Sequence, residues 1–313
     1  LDRYPYGCAE QTTSRALPLL YVSELAAQTG ESEDKTVRER VQAGIDRVLN
    51  YQSASGSFGL WTPGSGDLWL DAYVTDFLTR ARELNYQVPE LALTQALDNL
   101  QNGISYDVDL KAKGSEIAYA LYVLARNRRA PVGDLRYYVD TRLAEFATPL
   151  AKAQLGAALG LFGEKARADT AFSEAFTTLV SGGDNLNRAD YGTRLRDSAA
   201  ALALAAEAKP APQSLPELVT LVNGAYRSQR YTSTQENAWL LLAARALKSA
   251  GAELKLDVNG KPQTGNLIVQ SDPVALRETP ISIVNRSGED VQAIITLDGV
   301  PKTPLPAGGD GFS

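Results

Sequence analysis

With 313 residues, 44% apolar and 22% charged, the chain suits one large domain, or one domain with an appendage, around a proper core. A net charge of −6 argues against a nucleic-acid surface, and no apolar run approaches the ~20 residues a membrane-crossing helix needs. One cysteine excludes an internal disulfide, and the absence of histidine excludes Cys/His peptidases, Ser/His/Asp hydrolases and His-bearing zinc sites, so no metal or cofactor is expected.

The chain opens on "LDRYPYGCAEQTTSRAL", where a helix signal begins almost at once. Residue 1 is Leu, and the last residues, "GGDGFS", stop inside a β-like stretch, so an excised piece of something longer is expected. Helix follows helix over the first ~250 residues. "SRALPLLYVSELAAQ", "TVRERVQAGIDRVLNYQ", "LWLDAYVTDFLTRAREL", "SEIAYALYVLARN" and "ENAWLLLAARALKSAG" all space apolar residues at i, i+3 and i+4. A Ser-x-x-Glu capping box, "STQE" (233–236), marks one start, and a Gly/Ser-rich stretch and "KAKGS" (111–115) are read as breaks before others. The basic run "RNRR" (126–129) is read as a solvated helix end.

Aligning the Ala-rich segments exposes a repeat. "TTSRALPLLYVSELAA", "LDAYVTDFLTRA", "SEIAYALYVLA", "AKAQLGAALGLFG", "RDSAAALALAAEA" and "ENAWLLLAARA" recur, mostly 36–45 residues apart, with more charged helices between them. Small side chains let helices crowd together, so the Ala-rich set is expected inside and the charged set outside. Six such pairs could form an open solenoid or close into a ring; the lack of polar end-caps favours an α/α toroid over residues 1–250. In residues 251–313 the texture turns β-like. "LKLDVNGK", "NLIVQS", "TPISIVNRSG" and "VQAIITLDG" predict four short strands, part of a β-domain completed elsewhere.

Cys8 and Gln11 stand three residues apart at the mouth of the first helix, a spacing that puts both side chains on one face. A thiol beside a carboxamide can displace ammonia and leave a thioester, provided water is kept out. Gly7 allows a tight entry, Tyr4, Pro5 and Tyr6 can form an aromatic lid, and free helix N–H groups favour a departing thiolate. A lone cysteine near a helix start can equally be a small packing residue.

The whole string decides between these. "GCAEQ", preceded by "PY" and followed by "TTSRALPLLY", resembles the Gly-Cys-x-Glu-Gln thioester motif of the alpha-2-macroglobulin and complement family, in its bacterial branch. The resemblance implies a thioester-containing α/α toroid of about six helical hairpins, inserted in a CUB β-sandwich to which residues 251–313 would return. It implies Cys8 as the thiol, Gln11 as the acyl group, and Gly7 and Glu10 as motif partners. Glu10 is read as steadying the first turn by its charge, and Tyr4 and Tyr6 as shielding the site from water.

Some relatives carry a histidine on a loop facing the thioester. Here that region, "LDNLQNGISYDVDLKAKGS" (97–115), has none; Asn102, Tyr106 and Asp107 are the candidates to line the site. Without an acyl-imidazole intermediate, amines should be acylated in preference to hydroxyls. The resemblance further implies a single-turnover protease trap rather than an enzyme: bait cleavage exposes the thioester, and lysine amines of the protease become its covalent partners. Neighbouring macroglobulin-like and CUB domains would bury it beforehand, and bacterial members are typically periplasmic and tethered by an N-terminal lipid.

Two other classes compete. A thioester adhesin would share the chemistry, but such domains are β-rich. Terpene cyclases and prenyltransferases share the toroid; "GDLWLDAYVTD" offers Asp67, Asp71 and Asp76, but their spacing reads more simply as a cap and a helix surface.

Overall fold

A computed structural model describes residues 7–26, 35–104, 109–182, 188, 190–250, 254–265, 267, 274, 276, 280–288 and 291. The chain divides into two compact units, Leu1–Ala252 and Glu253–Ser313.

The first unit holds eleven α-helices among the described residues. They are α1 (Ala9–Ala26), α2 (Lys35–Leu49), α3 (Leu68–Glu83), α4 (Glu90–Gly103), α5 (Leu110–Arg126), α6 (Val132–Tyr137), α7 (Pro149–Leu161), α8 (Lys165–Ser181), α9 (Arg194–Glu207), α10 (Leu215–Arg227) and α11 (Thr234–Ala250). A π turn, Tyr138–Arg142, and a 3₁₀ turn, Leu143–Glu145, extend α6. Each odd-numbered helix packs on the next odd one, and α11 returns to α1, which closes the ring. The even helices lie outside: α2 against α1, α4 against α3, α6 against α7, α8 against α7 and α10 against α9. This is an α/α toroid, with the Ala-rich repeats as its inner ring.

Composition explains the two layers. In α3 every residue from Trp69 to Ala81 is buried, and α9 is buried from Leu195 to Ala206 with six alanines in that run. A helix enclosed on all sides needs small residues where neighbours approach and large ones between them. The outer helices bury only a stripe, as α2 does with Val37, Val41, Ile45 and Val48. Each such side chain contributes about 1.5–3 kcal/mol on burial.

Side-chain links fix the direction of the inner helices. Near their starts, Ser14 meets Tyr73, Gln235 meets Glu10, and Thr193 meets Glu236. Near their ends, Arg80 meets Tyr21 and Glu207, and Arg126 meets Glu83. Start pairs with start and end with end, so α1, α3, α5, α9 and α11 run parallel.

Three local expectations need correction. "KAKGS" does not break the chain: Asp109 caps Lys111 N–H and starts α5 ahead of it, and Gly114 packs on Phe146 inside the helix. Asp67 is the α3 cap, but Asp71 and Asp76 are buried rather than on a helix surface, because α3 is enclosed on every side. Asp76 pairs with Arg80 at 2.8 Å and accepts from Tyr119 at 3.0 Å. Arg126 is likewise drawn inward, to Glu83 at 2.7 Å and Glu207 at 3.2 Å, instead of ending a solvated helix. The "STQE" box does form: Ser233 Oγ accepts from Glu236 N–H, and Glu236 Oε2 accepts from Ser233 N–H.

The second unit shows a three-stranded antiparallel sheet in the order β2-β1-β3, from β1 (Lys255–Val258), β2 (Lys261–Thr264) and β3 (Ile283–Asn285). Asn259 and Gly260 form the two-residue hairpin turn with φ of 51° and 78°. β1 and β3 lie within expected strands. β2, "KPQT", has too little apolar character to announce itself, and the turn geometry supplies it instead. Apart from Leu267 and Val291, the expected strands "NLIVQS" and "VQAIITLDG" lie outside the described residues.

Candidate functional site

Cys8 directly precedes the first residue of α1 and is 6% exposed. Its Sγ accepts the backbone N–H of Gln11 at 3.5 Å, so the thiol acts as a helix cap. The same slot on other inner helices is filled by oxygen. Asp67 accepts from Leu70 N–H at 2.7 Å, Thr148 from Ala151 at 3.3 Å, Thr193 from Arg196 at 3.0 Å and Ser233 from Glu236 at 3.2 Å. Gln11 is exposed and folds back over Gly7, where an added Cβ would stand 3.1 Å from Gln11 Cβ and 3.3 Å from its Oε1. A side chain at position 7 would push the carboxamide away from the thiol's turn.

Neighbouring elements anchor this turn from two sides. Ala9 N–H donates to Leu60 O at 2.8 Å, and Gly7 O accepts from the Tyr51 hydroxyl at 3.0 Å. The loop carrying Leu60 is pinned by Asp71, which accepts from Phe58 N–H at 2.6 Å, Asn99 at 2.7 Å and the Ser57 hydroxyl at 3.0 Å. Burial pushes the Asp71 carboxyl above its ordinary range, against the lowering by those donors.

On the inner side, Glu10 Oε1 accepts from Ser14 Oγ at 2.6 Å and from Gln235 Nε2 at 2.8 Å. Ser14 Oγ also lies 3.0 Å from the Tyr73 hydroxyl and accepts from Gln235 Nε2 at 3.1 Å. Burial pushes the Tyr73 phenol far up, which keeps it a neutral hydrogen-bonding group.

An aromatic cluster adjoins this network. Trp69 stacks on Tyr73 with centroids 5.2 Å apart, and Tyr191 lies 5.3 Å from Trp69. Tyr191 is 48% exposed, with a left-handed backbone at φ 55°. Its phenol is raised by burial first, then by the negative charge of Glu10. The preceding Asp190 is clamped by Arg188 and Arg196 at 2.5 and 3.0 Å.

A family model described as the A-macroglobulin TED domain matches residues 1–107. Alpha-2-macroglobulin of Escherichia coli is 33% identical over 98% of this chain and 20% of its own length. The solved E. coli protein "activated by porcine elastase" superposes with a TM-score of 0.68 at 35% identity, over 84% of this chain and 25% of that one. The Salmonella protein "reacted with methylamine" gives 0.70 at 34% identity, over 92% and 19%. The chain belongs to the alpha-2-macroglobulin family. It spans about a fifth of the curated relative's length.

Within this alpha-2-macroglobulin toroid, Gly7, Cys8, Glu10 and Gln11 share one turn, while Asn102 is exposed on the last turn of α4. Tyr4, Tyr6, Tyr106 and Asp107 lie outside the described residues. Sequence reasoning missed Tyr51, Trp69, Tyr73, Tyr191 and Gln235. Gln235 sits inside "STQE", where Ser233 and Glu236 carry the capping signal and nothing local marks Gln235.

Proposed function

We propose that residues 1–250 form the thioester-containing domain of a bacterial alpha-2-macroglobulin that traps proteases, and that residues 251–313 form part of its CUB-like domain. Cys8 Sγ attacks Gln11 Cδ, the C–N bond breaks, and ammonia leaves with the thiol proton. After bait cleavage elsewhere in the protein, a lysine amine of the protease attacks Cδ; the C–S bond breaks, the sulfur leaves as thiolate stabilised by the helix N–H groups, and the amine gives up a proton to water. No group regenerates the bond, so each molecule reacts once. The buried thiol capping the same turn that presents an exposed carboxamide is the observation that carries this reading.

The absence of histidine from the chain favours amines over hydroxyls as acceptors. Before triggering, neighbouring domains of the same protein would cover the turn; the location is the periplasm, with a lipid tether outside this sequence. Intact mass is the direct test. The untriggered protein should weigh one ammonia less than its sequence, and methylamine should add one equivalent while releasing one titratable thiol. A full-mass protein with a freely alkylatable Cys8 overturns the proposal.

A further inference from the structure

Glu10 lies between the two reactive positions, yet its buried carboxylate faces inward and is held by two neutral donors, Ser14 and Gln235. Ser14 belongs to the same helix and reaches outward only from its own hydroxyl, to Tyr73 of α3. Gln235 reaches Glu10 directly from another helix. It sits in the first turn of α11, 225 residues downstream, is 3% exposed, and donates from one amide nitrogen to both Glu10 and Ser14. Its own buried Oε1 has no hydrogen-bond partner among the described residues. An unpaired buried carbonyl is unfavourable, and this amide tolerates it while both its bonds go to α1.

We infer that Gln235 is a positioning residue for the reactive turn, acting through Glu10; the inference rests on the thioester reading above. The opening turn of a helix has no intrahelical bonds to its first N–H groups and frays readily. A small rotation of that turn shifts Cys8 and Gln11 relative to Leu60 and Tyr51 and strains the bridge between them, which favours its attack by water. The Gln235–Glu10 bond fixes the rotation against α11, at the seam where the toroid closes. The tethers on the opposite side, Leu60 O to Ala9 N–H and Tyr51 to Gly7 O, hold the backbone alone. The Gln235 bond reaches a side chain of that turn directly.

The test compares four full-length proteins: the parent, Gln235→Ala, Glu10→Gln, and the reciprocal Glu10→Gln/Gln235→Glu, in which amide and carboxylate trade places and the bond is restored. Intact mass after methylamine gives the fraction with a closed thioester, thiol titration in buffer gives its hydrolysis rate, and thermal unfolding reports the fold. Gln235→Ala loses a hydrogen bond to a charged group and should hydrolyse about tenfold faster or more, while Glu10→Gln leaves a weaker neutral bond and should fall between it and the parent. The reciprocal variant should return to within about twofold of the parent. A folded Gln235→Ala protein with parental closure and hydrolysis overturns the inference, as does a reciprocal variant no better than the singles at equal thermal stability. If the parent itself takes up no methylamine, the thioester reading falls, and this inference with it.

Discussion

Arg80 of α3 reaches Glu207 at the end of α9 at 3.1 Å, across 127 residues of sequence. Arg80 is 1% exposed and also binds Asp76, Tyr122 and Tyr21. Replacing it with alanine leaves two carboxylates without their central cation, and removing one partner of such a buried set costs about 3–5 kcal/mol. Urea unfolding of Arg80→Ala should show this loss, and adding Asp76→Asn should recover part of it.

Acid should loosen the same network. Burial would raise the Glu207 carboxyl, but Arg80 and Arg126 outweigh it and hold it at about 2. A carboxyl lowered in the folded state stabilises above its ordinary value near 4.5 and loses that contribution as pH falls toward 2. Stability should therefore decline from pH 4.5 downward, and Glu207→Gln should flatten that decline. A melting series across this window, parent against variant, checks it.

The toroid could be read from the sequence because its signal is carried by composition. The Ala-rich inner helices repeat with the spacing a ring demands, and α9, "RDSAAALALAAEA", can lie only where neighbours press from every side. Pairwise chemistry between distant segments could not be read. Asp71 and Asp76 looked like surface carboxylates because nothing local announces that Asn99, Ser57 or Arg80 will meet them. The placing of Cys8 and Gln11 on one turn was legible, since they stand three residues apart. Its support was not, since Tyr51, Tyr73 and Gln235 approach from three other helices or loops.

Serine at position 8 should preserve the fold and remove the chemistry. Its hydroxyl can take the Gln11 N–H, as Ser233 takes that of Glu236. Stability of Cys8→Ser should stay within about 1 kcal/mol of the parent, since cap replacements among good acceptors are mild. Methylamine uptake should vanish. Mass spectrometry beside a thermal melt measures both.

Removing the Asp71 carboxylate should reach the Cys8–Gln11 turn indirectly. Asp71→Leu strands the Phe58 N–H and the Ser57 and Asn99 donors, at about 1–3 kcal/mol for each buried group left unpaired. The loop then holds Leu60 O less firmly against Ala9 N–H. Hydrogen exchange at the Ala9 amide should quicken more than at the amides of α8, on the far side of the ring from α1 and α3.

At the start of α11, Ser233 and Glu236 stand in the relation that Cys8 and Gln11 hold at the start of α1: a cap acceptor and a polar side chain three residues on. One pair only ends a helix neatly. On the proposed chemistry the other is a spring-loaded weapon, and what divides them is sulfur for a hydroxyl oxygen and an amide for an acid.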